Sequence, residues 1–289
     1  MDKVNRRGFL KGSVMAASAA LPRGAGAQPA NGIVDTSVYL SQWPFRRIPG
    51  ESTAEVVAML RKHGVAQAWA GSFDALLQDD LSSSNVRLAA ECREHGRGFL
   101  VPFGSVSPKL PDWEEDLRRC HEDLKMPGIR LHPNYQNYNL KDPAFERLLR
   151  AATERGLLVQ IVAWMEDERH HHPLMMVPSV DLAPLAGLLE RVPKARVVVS
   201  NAFQVASRGN RILAGLQKCN GVAVDFAITD ALMGLRDLIN AVGSERVVFG
   251  SYLPMFYIES AELKIRESDL TPAETAAIHS GNARRLLGA

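Results

Sequence analysis

Arg130 and His132 lie two residues apart in the short apolar run Gly128 to His132, so on an extended strand their side chains share a face. An arginine there is a planar clamp for a carboxylate, and a histidine titrates near neutrality, so the pair can anchor an acidic substrate and transfer a proton. The structural alternative makes Arg130 an ion-pair partner of Asp35 or Asp225. Both aspartates fall in apolar runs, where a carboxylate needs a partner or a shifted pKa. Asp35, Ser37 and Tyr39 alternate along one run and share a face by its period of two. Farther on, Trp164, Glu166, Asp167, Glu168 and Arg169 precede His170-His171-His172-Pro173. Three consecutive histidines invite a metal reading, but neighbours on an extended chain point in alternate directions and a helical pair wants a spacing of three or four, so a solvated loop competes with it. Glu166 and Arg169 are expected to close over the site. Trp43-Pro44-Phe45-Arg46-Arg47 combines stacking surface with cations and either lines a pocket or plugs the first loop.

These residues need a scaffold that gathers them. From residue 33 onward, short β-branched runs alternate with amphipathic stretches, which is an α/β signature. The runs are Ile33 to Leu40, Val65 to Gly71, Gly98 to Val106, Gly128 to His132, Leu157 to Ala163, Ala195 to Ser200, Gly221 to Phe226 and Arg246 to Ser251. Between them, Val56, Val57, Leu60 and His63 recur at helical spacing, as do Phe145, Leu148, Leu149 and Ala152, with Gly64 and Gly156 as stops. Eight strand-helix units in series, without a linker between them, favour a single (β/α)8 TIM barrel over an open doubly wound sheet, and no G-x-G-x-x-G follows the first strand. In such a barrel the chemistry sits at the strand ends.

There the segments become recognisable. Gly128-Ile-Arg-Leu-His-Pro133 with Leu140-Lys-Asp-Pro-Ala-Phe145, then Val247-Val-Phe-Gly-Ser251 with Pro254, and Gly281-Asn-Ala-Arg-Arg-Leu286 resemble the amidohydrolase-related branch of the metal-dependent hydrolase superfamily over residues 32 to 289. The resemblance implies a TIM barrel whose strand ends hold a divalent metal, through D-x-H-x-H on strand 1, histidines on strands 5 and 6, and an aspartate on strand 8. It also places Arg130 and His132 on the barrel interior. In this chain those ligand positions fall on Ser37, Tyr39, Asn201 and Tyr252 and, for strand 5, near Val162, none a good zinc ligand. The expectation is a hydrolase or lyase for a small anionic organic substrate, with neither metal nor other cofactor. His132, Arg130, Asp35 and Asp225 are the catalytic candidates; Trp43, Arg46, Tyr39, Glu166, Arg169, Asn201 and Tyr252 are the substrate-binding ones. Metal-free lactone hydrolysis is within the superfamily's range. An inactive periplasmic binding or scaffold protein is the alternative, and a relocated metal centre of His132 with the histidine loop is a third reading.

Asn5-Arg6-Arg7-Gly8-Phe9-Leu10-Lys11, the weakly apolar run Gly12 to Leu21 and Ala25-Gly26-Ala27 resemble a twin-arginine signal peptide. Residues 1–27 are therefore expected to engage the translocase and be cleaved after Ala27, with 28–31 a short linker and the barrel delivered to the periplasm without a stable membrane anchor. The formal charge of +2, with several of the basic residues near the start, suggests a small-molecule partner rather than nucleic acid. Cys92, Cys120 and Cys219, an odd number without C-x-x-C spacing, are expected to be buried thiols. Pro254-Met255-Phe256-Tyr257 is apolar and shapes a binding mouth or a homo-oligomer contact.

Overall fold

The computed structural model describes residues 32–202, 215–229 and 234–288; the expected signal peptide and linker lie outside them. Each apolar run forms a strand: β1 (Ile33–Leu40), β2 (Val65–Ser72), β3 (Leu100–Gly104), β4 (Gly128–Leu131), β5 (Leu158–Val162), β6 (Arg196–Ser200), β7 (Val222–Asp225) and β8 (Val247–Val248). They pair in parallel in sequence order. β8 and the segment after it return to β1 through Thr36 N–H to the Phe249 carbonyl and Tyr39 N–H to the Leu253 carbonyl, both 2.9 Å, so the sheet is a (β/α)8 barrel.

Local chemistry sets the helix ends. Ser52 accepts from Glu55 N–H while Glu55 accepts from Ser52 N–H, a capping box that starts the helix Thr53–Lys62. Asp142 caps Pro143–Glu154, whose buried residues Phe145, Leu148, Leu149 and Ala152 are the stripe read from the sequence. Gly64 and Gly156 follow these helices at φ 72° and 68°, a conformation that suits glycine. His63 ends the first helix and pairs with Glu259 and Glu262. Among the described residues, no helix is long and apolar enough to cross a membrane.

The barrel interior is tiered. Its lower layer is Val34, Trp69, Phe103, Leu158, Val198, Ala223 and Val248, closed beneath by Ala283 and Leu286 of the helix Asn282–Leu287. An upper layer packs Tyr39, Trp43, Phe73, Val162, Met165, Ile228 and Tyr252. Polar groups on the strands lie between the two.

β1 departs from simple alternation. Asp35 and Val38 pair with Ala68 and Ala70, so two residues of β1 oppose one of β2, which is a bulge. The period of two predicts Asp35 on the face of Ser37 and Tyr39. The extra residue instead puts Asp35 in register with Ala68, which packs in the core shared with the helices, while Tyr39 pairs with Gly71.

Candidate active site

Arg130 is buried, and the bulge explains its surroundings. A bulged strand frees carbonyls from the ladder, and the guanidinium takes them up. Nη1 donates to the Val38 carbonyl at 2.5 Å, Nη2 to those of Thr36 at 3.0 Å and Trp69 at 2.8 Å, and Nε to Gln160 Oε1 at 2.8 Å. Gln160 Nε2 also donates to the Thr36 carbonyl at 2.8 Å. A Cβ on Gly71 would lie 2.8 Å from the Arg130 side chain, so the close approach requires glycine. Burial lowers the Arg130 pKa, opposed by Tyr39, Asp225 and Asp35. Among the described residues no carboxylate stands within ion-pair distance of it. Neither sequence-derived role for Arg130, carboxylate clamp or ion-pair partner, matches this arrangement, because its donors are committed to strand carbonyls and Gln160. Gln160 escaped the sequence reading, although it is the one polar residue in the run Leu157 to Ala163.

Above this layer, Tyr39 Oη and His132 Nε2 share a hydrogen bond of 3.0 Å. Tyr39 stacks on Phe73 at 4.6 Å between centroids, and the Arg130 guanidinium carbon lies 4.7 Å from the Tyr39 ring centre. His132 is 1% exposed and its Nδ1 has no partner. Burial, then the Arg130 charge, pulls its pKa down to about 3, so the imidazole is neutral near physiological pH. Burial likewise pushes the Tyr39 and Tyr252 phenols above their usual range.

Tyr252 and Asn201 bind the loop after β5. Tyr252 Oη donates to the Met165 carbonyl at 2.5 Å, and Asn201 Nδ2 to the Trp164 carbonyl at 2.9 Å. Both residues have left-handed backbones, φ 58° and 54°, which is strained for a tyrosine. The Met165 thioether lies 3.7 Å from the Tyr39 hydroxyl and 3.6 Å from that of Tyr252, filling the space between the phenols. Met165 and Phe73 carried no sequence signal, since a methionine or phenylalanine among apolar residues reads as core.

Two buried carboxylates lie nearby. Asp225 Oδ1 accepts from the Asn201 and Ala227 amides, and burial raises its pKa to about 6, with Asp35 contributing in the same direction. Asp35 Oδ1 accepts from the Ser37 and Ser251 amides, which joins β1 to the segment after β8; burial raises its pKa as well. Each keeps an Oδ2 without a partner.

Among the loop candidates, Arg46 pairs with buried Glu166 at 2.8 Å, joining the loop after β1 to that after β5. Trp43 packs edge-on against Phe73. Arg169 is not brought to this cluster: its side chain is 84% exposed and pairs with Asp167. His171 Nε2 hydrogen-bonds the Glu166 carbonyl, and His172 Nδ1 accepts from Leu174 N–H. Among the described residues no group of three His, Cys, Asp or Glu side chains could hold a metal. All three cysteines are buried and free.

The barrel and its mouth can be set against known proteins. A decarboxylase of 2-amino-3-carboxymuconate-6-semialdehyde from Dictyostelium discoideum is 24% identical over 251 residues, 76% of this chain and 69% of the relative. The 2,6-dihydroxybenzoate decarboxylase of Rhizobium superposes with a TM-score of 0.67 at 14% identity, covering 89% of this chain and 99% of that one. The 5-carboxyvanillate decarboxylase of Sphingomonas paucimobilis gives 0.66 at 15%, covering 90% and 99%. The family model described as amidohydrolase matches residues 52–289, from the first helix to the C-terminus. By that match the chain belongs to the amidohydrolase family.

Proposed function

We propose that the protein is a hydrolase or lyase of the amidohydrolase type that acts on a small anionic organic acid without the divalent metal usual in the family. The Tyr39–His132 pair at the strand ends carries this reading. Loss of CO2 from an aromatic acid requires a ring carbon to take up a proton as the C–CO2 bond breaks, its electron pair staying with the ring. Opening a lactone requires a water to lose a proton as it adds to the carbonyl. Either step needs a proton-transfer group shielded from bulk water. When Tyr39 O–H donates to Nε2, His132 Nδ1 bears the proton; in the opposite tautomer Nδ1 offers a lone pair. His132 lines an inner cavity with Asn134, Tyr135, Trp164 and Met165. The carboxylate chemistry named in the related decarboxylases supports an anionic substrate.

The side chains at the expected ligand positions do not fit a divalent cation. Val162 has no donor atom, and burial keeps the Tyr39 and Tyr252 phenols protonated. Asn201 and Tyr252 donate to the Trp164 and Met165 carbonyls, and Met165 occupies the space between the phenols. A second reading, a barrel that binds without turnover, is favoured by the size of the inner cavity, ≈ 10 Å³, about the space one water needs.

To test this, the protein is incubated with 2,6-dihydroxybenzoate, 5-carboxyvanillate and an anionic lactone, with chelator or added manganese, while substrate absorbance, CO2 and bound metal are measured. Depletion of one substrate that persists in chelator is the expected result. Activity that tracks one bound metal per chain would sink the metal-free reading, and binding without depletion would select the second. We also infer that residues 1–27 direct twin-arginine export, placing the mature barrel in the periplasm.

A further inference from the structure

Two spaces of unequal size are linked through the Arg46–Glu166 pair: Arg46 lines one, and the two residues that precede Glu166 line the other. Outside is a cleft of ≈ 270 Å³ lined by Trp43, Phe45, Arg46, Arg47 and Glu51. Inside is the ≈ 10 Å³ cavity beside His132, walled by Trp164 and Met165. The pair is asymmetric: the Glu166 side chain is 4% exposed and the Arg46 side chain 45%. Arg46 Nε and Nη2 both bind the same oxygen, Glu166 Oε1, at 3.1 and 2.8 Å. Its Nη1 has no protein partner among the described residues, and the guanidinium fork is suited to a carboxylate from the cleft. Trp43, which lines the same cleft, has a buried Nε1–H without an acceptor. Arg47 is already paired, with Glu51 at 3.6 Å.

Glu166 directly follows two of the residues that wall the inner cavity. Trp164 and Met165 are fixed through their carbonyls by Asn201 and Tyr252, and Glu166 through its carboxylate by Arg46. The first two attachments are neutral hydrogen bonds whose donors, on Asn201 and Tyr252, are fully buried, so a ligand in the cleft meets the half-exposed Arg46 before it meets them. The third is an ion pair, which an anion can replace one carboxylate for another. Such an exchange roughly conserves the charge contact at Arg46, while Glu166 regains hydration on turning outward.

We propose that Arg46 is the receptor for the carboxylate of an incoming aromatic acid, and that this carboxylate displaces Glu166 and unlatches Trp164–Glu166 from over the inner cavity. The inference rests on the anionic-substrate reading above but concerns binding, so the two can fail separately.

Isothermal titration of the full chain with 2,6-dihydroxybenzoate, and with its neutral amide as control, tests the latch. Glu166→Gln removes the competing charge and is expected to tighten the acid about tenfold, while Arg46→Gln weakens it about tenfold or more. Arg46→Lys falls between, and the amide responds to none of these changes. Arg46→Gln leaves the buried Glu166 carboxylate without its cation, whereas Arg46→Lys keeps a cation beside it and should melt closest to the wild type, which keeps the comparison valid if either glutamine variant proves unstable. Unchanged acid affinity in Arg46→Gln, weaker binding in Glu166→Gln, or no binding to any of the four proteins overturns the latch. Latch-dependent binding without product would reject turnover and leave the latch standing; turnover indifferent to Arg46→Gln would do the reverse.

Discussion

His132 and Asp225 respond to pH in opposite senses. His132 is held neutral with a pKa of about 3, whereas the unfolded chain takes up a proton near 6.5. Its contribution to stability is therefore complete above about pH 6.5 and declines as pH falls toward 3. Asp225 has a folded pKa of about 6 against 3.8 when exposed, so ionisation weakens the fold as pH rises between those values. By neutrality the cost is about 2–3 kcal/mol. Asp225→Asn keeps an oxygen for the Asn201 and Ala227 amides and loses the charge. In urea titrations it should gain about 2–3 kcal/mol at pH 7.5 and nothing at pH 4; a loss, or a gain independent of pH, would show that burial does not dominate at Asp225. His132→Gln should reduce turnover by about a hundredfold or more and flatten the stability decline between pH 6.5 and 3. Turnover near wild type would remove His132 from the chemistry. At this scale the sequence showed which groups were ionisable, but the near absence of solvent around His132 came from aromatic residues of other strands.

Among the elements, the β1 bulge is the feature that period-two reading could not see. Alternation along Ile33 to Leu40 is compatible with a regular strand, and the inserted residue becomes visible only when β1 is paired with β2. The bulge explains why a buried arginine is stable here: three carbonyls and Gln160 surround it. Arg130→Met would leave those carbonyls buried without donors. A loss of about 3–5 kcal/mol is expected, read from the shift in the denaturation midpoint. Arg130→Lys should recover only part, since an ammonium cannot reproduce the planar fork that spans β1, β2 and β5. Full recovery by lysine would mean that charge, not geometry, is what the bulge requires. The helices were more legible, because a cap and an apolar stripe are local properties of Ser52, Asp142, Phe145 and Leu148.

For the whole molecule, the eight strands in sequence order and the matched family agree with one barrel built from residue 33 onward. The proposed export is tested at the same scale. Replacing Arg6 and Arg7 by lysines should strand the protein in the cytoplasm on fractionation of an expressing cell, with its barrel still folded. Unaltered export would reject the twin-arginine assignment. An intact periplasmic pool would also allow activity, metal content and carboxylate binding to be measured on one preparation.

The order of strands and helices, the β-branched runs and the ionisable groups near the strand ends could be read from the sequence alone, because each depends on residues close together in the chain. Tertiary structure decided what those residues do. Arg130 became a support for a bulge rather than a carboxylate clamp, since carbonyls of β1 and β2 reached it first. Asn201 and Tyr252 came to hold Trp164 and Met165, and Arg46 met Glu166 120 positions away. Such contacts depend on barrel closure and on loops converging over one mouth, which no local period encodes.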